Sequence, residues 1–93
     1  MEIYYTRHAL QRMFERSIKD KEVEEIIQTG EAVFEYPDDK PYPSRLAMKV
    51  IDGRPIHVVF SFSKSEEIDN YIVITVYEPS IKEWNEDFKT RRI

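Results

Sequence analysis

The sequence predicts an α+β domain: an N-terminal helical hairpin packed on an antiparallel sheet of three to four strands, followed by a short C-terminal helix. Three observations carry this expectation. Apolar residues recur twice at helical spacing near the start, three later runs alternate apolar and polar residues with strand period, and 93 residues leave room for one core. Residues 1–93 are therefore read as a single domain.

The first helix is predicted to begin after Thr6 as N-cap, to bury Leu10, Met13 and Phe14, and to end near Arg16 or Ser17. A second, capped by Asp20, runs to Gln28. Its stripe is Val23, Ile26 and Ile27, with Gly30 expected in a left-handed C-cap. The stretch "AVFEYPDDKPYPS" starts as a short strand and then meets Pro37, Pro41 and Pro43, each of which fixes φ and removes a donor. Residues 37–44 should form a stiff loop carrying aromatic side chains.

Strands are expected over residues 45–51, 56–62 and 71–78, with "SKSEEIDN" as the loop before the last of them. Their register hangs on "IDGRP". A two-residue turn pairs Ile51 with Arg54, sets His57 opposite Met48 and Lys49 opposite Ile56, and mixes polar with apolar side chains on both faces. A three-residue loop pairs Val50 with Ile56, Met48 with Val58 and Leu46 with Phe60, and segregates them. The second is the expectation. It directs the apolar face to the helices and leaves Arg45, Lys49, His57, Thr75 and Tyr77 on an open face. In the tail, "SIKEWNEDFKTRR", near-helical spacing of Ile81, Trp84 and Phe88 predicts the short final helix.

Composition narrows the function. With no cysteine there are neither disulfides nor thiolate metal sites. The start has no apolar signal-peptide core and no run approaches the roughly 20 apolar residues of a membrane span, so a cytoplasmic protein without membrane contact is expected. Gly30 and Gly53 alone cannot build a phosphate-cradling loop, and the serines carry no nucleophile signature. The two histidines with Glu15 have no metal-ligand spacing, so neither metal nor cofactor is expected. The net charge of -4 weighs against unaided affinity for nucleic acid, yet it is unevenly spread: residues 22–35 hold five glutamates and no base, whereas Arg7, Arg12 and Arg16 precede them and Lys89, Arg91 and Arg92 follow late.

His8, Arg12 and Arg16 stand four residues apart on the first helix, a slanting row drifting by about 40° per step. This row is either a solvated helix face or one side of a site. RNA cleavage by the 2′-hydroxyl needs a group to take a proton, a group to return one, and cations for the charge gathering on phosphorus. Imidazole suits proton transfer near neutral pH, and arginine can grip two phosphate oxygens at once. On this chemistry the candidate catalytic residues are His8, His57, Arg12 and Tyr77. Arg16, Arg54, Lys49 and Arg91 are candidates for phosphate or substrate binding, and Tyr36, Asp39 and Tyr42 for loop contacts. His57, on an otherwise apolar strand, can equally be a hydrogen-bonded structural histidine.

The segments "HALQRMFERSI", "EYPDDKPYPSRL", "GRPIHVVF" and "ITVYEPSIKEWNEDFKTRR" together resemble the bacterial and archaeal domain-of-unknown-function family 4258, nearly collinearly from Arg7 to Arg92. The resemblance implies motif positions at His8, Arg12, Arg16, Asp39, Pro41, Arg54, His57, Tyr77 and Arg91. It also implies a layout similar to small ribonuclease toxins of the RelE and BrnT kind. Two departures stand out: Ser17 replaces a glycine usual between the helices, and Arg45 falls at a variable position.

Two functions remain in view. One is a metal-independent, toxin-like endoribonuclease, with RNA as substrate and a cognate antitoxin or other protein as partner. The other is a non-catalytic module that binds protein or RNA. A homodimer formed along a sheet edge is compatible with either.

Overall fold

A computed structural model describes residues 1–64 and 69–92 of the chain. Its elements are β1 (Glu2–Tyr5), α1 (Arg7–Arg16), α2 (Asp20–Thr29), β2 (Glu31–Tyr36), β3 (Ser44–Ile51), β4 (Arg54–Lys64) and β5 (Asp69–Tyr77). One sheet holds all five strands in the order β1-β5-β4-β3-β2, with β1 parallel to β5 and the other neighbours antiparallel. The expected architecture is therefore corrected on four points: a strand precedes the helices, the sheet has five strands, it is mixed, and no helix forms in the tail among the described residues. Positions 65–68 of the expected "SKSEEIDN" loop lie outside the described residues, and both its flanks are strand.

β1 escapes the sequence pattern because four residues are too few to show a period. Its pairing with β5 delivers the chain to Thr6, whose N–H donates to the Val73 carbonyl at 3.1 Å. Thr6 then caps α1 as expected, its hydroxyl accepting from the Ala9 N–H at 3.0 Å. This entry point sets the phase of α1. Met13 is buried as expected, together with Ala9, whereas Leu10 is 52% and Phe14 87% exposed, which corrects the predicted stripe at those two positions. Small Ala9 lets the helix lie close against β5. At the other end Ser17 adopts the left-handed conformation (φ 54°, ψ 44°) and Ile18 N–H reaches back to the Met13 carbonyl at 2.9 Å.

In α2, Lys19 rather than Asp20 is the N-cap, and the Glu22 carboxylate accepts from its N–H at 2.8 Å. Gly30 is extended (φ -70°), not left-handed. Glycine is required there by proximity: a Cβ would stand 2.4 Å from the Ile26 carbonyl oxygen. Ala9, Met13, Ile18, Val23 and Ile26 meet Ala47, Ile56, Val58, Phe60, Val73 and Val76 in the main core.

The β3–β4 register is the alternative that segregates less cleanly. Ile51 pairs with Arg54, Met48 with His57 and Lys49 with Ile56, so the expected three-residue loop is corrected to a two-residue Asp52-Gly53 turn. Both turn residues have positive φ, 51° and 77°, the type I′ geometry that matches strand twist and that Asp-Gly favours. Polar residues on both faces are tolerated because both faces are covered. Lys49 points toward α2 and extends its ammonium to Glu25 (2.9 Å) and the Thr29 hydroxyl (2.6 Å). Leu46, Met48 and His57 turn the other way, under the tail.

That tail is a strap. Trp84 N–H donates to the Ser80 carbonyl at 2.9 Å, and Trp84 and Arg91 then pair as an antiparallel bridge. Asp87 prevents the expected helix: its carboxylate accepts from the N–H groups of Lys89 (2.9 Å) and Thr90 (3.1 Å), stabilising a turn in which Phe88 has φ 57°. These same bonds hold the Asp87 carboxyl below its ordinary pKa. Trp84 is buried, with its ring centroid 4.6 Å from that of His57 and 6.3 Å from that of Phe34, while Ile81 is exposed.

Candidate phosphate-binding cleft

α1, the end of β5 and the strap enclose a cleft of about 440 Å³. α1 contributes His8, Arg12 and Arg16 at successive turns, β5 contributes Thr75 and Tyr77, and the strap contributes Glu83, Trp84 and Arg91. Thus five of the predicted site residues converge: His8, Arg12, Arg16, Tyr77 and Arg91. The row on α1 is turned toward the cleft because Ala9 and Met13, one position on from His8 and Arg12, face the core.

His8 is exposed, and its Nε2 lies 3.0 Å from the Thr75 hydroxyl. Among the described residues, Arg12, Arg16 and Arg91 form no ion pair; the bridges are Arg45 to Glu35, Lys49 to Glu25, Arg54 to Glu22 and Glu78, and Lys89 to Glu31. The Arg91 guanidinium lies 4.9 Å from the centroid of the Trp84 ring, which fixes where it sits. Of the two carboxylates lining the cleft, Glu78 is engaged by Arg54 at 3.2 Å, which leaves Glu83 to face three guanidiniums. A locally cationic hollow has formed on a chain of net charge -4.

His57 does not reach the cleft. It is fully buried beneath Tyr77, with Nδ1 3.2 Å from the Tyr77 hydroxyl and Nε2 2.6 Å from the Phe88 carbonyl oxygen. Because a carbonyl only accepts, the hydrogen resides on Nε2 and Nδ1 accepts from Tyr77. Burial lowers the His57 pKa; the Phe88 bond opposes this and the Arg91 charge adds to it. Burial likewise raises that of Tyr77, opposed by Arg91 and reinforced by Tyr36 and Glu83, so the phenol stays protonated at neutral pH.

The remaining predicted residues lie elsewhere. Arg54 donates to the carbonyls of Arg16 (2.8 Å) and Ser17 (3.1 Å), tying the end of α1 to Glu22 and Glu78. Lys49 is held by α2. The Asp39 carboxylate accepts from the Ser44 hydroxyl, which anchors the proline-rich loop, and Tyr36 lies directly opposite Ser44. Tyr42 lines a separate hollow with Tyr4. Thr75, Glu78, Glu83 and Trp84 are cleft residues that the sequence reading did not assign to a site. The last two were hidden by the expectation of a tail helix, and a run of period-2 residues through Tyr77 was the only signal for Thr75.

The chain is thus an α+β domain with a cationic cleft where a helix, a strand end and a strap meet. Residues 5–78 match the family described as Domain of unknown function (DUF4258), and the chain belongs to that family. The match ends at Glu78, so Glu83, Trp84 and Arg91, one wall of the cleft, lie beyond it, although the resemblance read from sequence extended to Arg92. Neither a curated protein nor a solved structure matches the chain. No helix among the described residues is long and apolar enough to cross a membrane, and no group of three or more His, Asp or Glu there could hold a metal ion.

Proposed function

We propose that the cleft binds RNA and cleaves it, without a metal, by attack of the 2′-hydroxyl on the adjacent phosphate with departure of the 5′-oxygen. The observation that carries this reading is the convergence of His8, Arg12, Arg16 and Arg91, with the three guanidiniums outside any ion pair among the described residues. His8 takes the proton of the 2′-hydroxyl as its oxygen attacks phosphorus. The guanidiniums stabilise the charge that gathers on the non-bridging oxygens. Tyr77, half-buried and protonated at neutral pH, exchanges its bond to His57 for one to the departing 5′-oxygen and gives up its proton, leaving a phenolate beside Arg91. His57 is a positioning residue in this scheme. A toxin-like role, with a protein partner that covers the cleft, is compatible with the bare Leu10 and Phe14 on the same helix.

The test is cleavage of single-stranded RNA in the presence of a chelator. The expected result is a 2′,3′-cyclic phosphate product whose formation falls at least about 100-fold in His8→Ala. Salt-sensitive binding with no cleavage would replace this reading by that of an RNA-binding module. Absence of both would remove RNA as the ligand.

A further inference from the structure

A second hollow, of about 230 Å³, lies on the same face of the sheet as Tyr77. Register builds it: Tyr4 of β1 stands beside Ile72 of β5, and Ile72 beside Ser61 of β4. Ser61 follows His57 by four residues on β4, which keeps it on one face and about 13 Å further along. A bulge in β5 preserves the match, since Val59 pairs with Thr75 and Ser61 with Ile72. Tyr42, from the proline-rich loop, also lines it.

The chemistry of this hollow differs from that of the cleft. Both tyrosine rings are exposed, by 54% and 42%, so neither is there to fill the core. Among the described residues, no cation lines it; Ile72 provides an apolar floor, and Ser61, Ser63 and Asn70 provide hydroxyls and an amide. The Tyr4 hydroxyl donates to Glu2 at 2.5 Å, which orients its ring. A flat, uncharged group with hydrogen-bonding edges fits such a slot, and a phosphate does not.

We infer that the Tyr4–Tyr42 hollow receives a nucleobase of single-stranded RNA whose phosphate occupies the cationic cleft. This rests on the proposed function, and it names the substrate more narrowly. A base can stack on a tyrosine ring in this hollow only if it is unpaired and splayed from its neighbours, so duplex RNA is excluded from productive binding. Asn70, with both donor and acceptor, and the serine hydroxyls meet the base edge.

The experiment uses fluorescence anisotropy of a short labelled single-stranded RNA on the His8→Ala protein, so that the strand stays intact. Tyr4→Ala and Tyr42→Ala are each expected to weaken binding about 10-fold or more, whereas Tyr4→Phe and Tyr42→Phe retain the affinity, because stacking needs the ring. Moving an abasic position along the RNA should reproduce the loss at one position and add nothing in the alanine variants. Salt-sensitive binding of RNA that is indifferent to both alanine substitutions, with unfolding midpoints unchanged, overturns the base site and leaves the cleft. Absence of RNA binding by the parent protein at any salt concentration overturns the cleft reading and this inference together.

Discussion

Tyr77 rests its hydroxyl on the buried Nδ1 of His57, at 3.2 Å, while the far side of the same ring donates to the backbone at Phe88. One imidazole thus joins the cleft wall to the strap that covers the sheet. Replacing it by phenylalanine keeps most of the volume and abandons both partners. We expect His57→Phe to lose about 1–3 kcal/mol, largely through the orphaned Phe88 carbonyl, as measured by chemical denaturation.

The pH dependence of stability follows from the same histidine. Its folded pKa lies below the unfolded value of about 6.5, so the unfolded chain binds more protons in that region. The contribution is fully present above pH about 6.5 and is lost as pH falls through the folded pKa. Denaturation midpoints of the parent should decline below pH 6.5, and His57→Phe should flatten this limb. An equal decline in both proteins would place the acid sensitivity elsewhere.

Ser17 occupies a conformation that disfavours any residue with a Cβ, and nothing in its side chain compensates among the hydrogen bonds of the described residues. Ser17→Gly should therefore stabilise the domain by about 1 kcal/mol, seen as a rise of roughly 4–8 °C in Tm. Ser17→Val should do the reverse.

Gly30 fails in the opposite sense. Alanine there would drive its Cβ against the Ile26 carbonyl oxygen, a backbone atom that cannot step aside without moving the end of α2. Gly30→Ala is expected to cost about 1–3 kcal/mol even though its φ suits any residue.

Arg54 and Arg12 should separate structure from binding. Arg54→Lys loses the fork that grips the Arg16 and Ser17 carbonyls, so Tm should fall by the equivalent of about 1 kcal/mol, with faster amide exchange at residues 14–18. The salt dependence of RNA binding should stay unchanged. Arg12→Ala should leave Tm nearly unaltered and reduce the salt slope by about one. A lower slope in Arg54→Lys would return Arg54 to the phosphate site.

Much of this molecule is legible locally. Thr6 as a cap, the helical pair that ends near Ser17 and Thr29, the breaking of structure by Pro37, Pro41 and Pro43, and the alignment of His8, Arg12 and Arg16 in one row of α1 all follow from short-range rules. The errors come from long-range choices. Leu10 and Phe14 are larger than Ala9, so hydrophobicity favoured the wrong face, whereas the docking of β1 beside β5 selects the smaller residue. The register was misjudged because clean segregation is a rule for sheets with one wet face, and the strap covers the second face here. Asp52-Gly53 was the better guide, since its positive φ values depend on no distant partner. His57 looked reactive because a lone histidine on a strand says nothing about what closes over it, and Trp84 and Phe88 do so from the tail.

The parallel placement of β1 beside β5 bears on how the chain matures during translation. Ile3 and Tyr4 find their neighbours, Tyr71 and Ile72, only after both helices and three further strands have been made. Until then β1 has an open edge, and both helices lack most of the surface they bury. Such non-local closure slows folding and exposes nascent chains to aggregation, so yield in the cell should depend on chaperone supply more than the small size of the domain would imply.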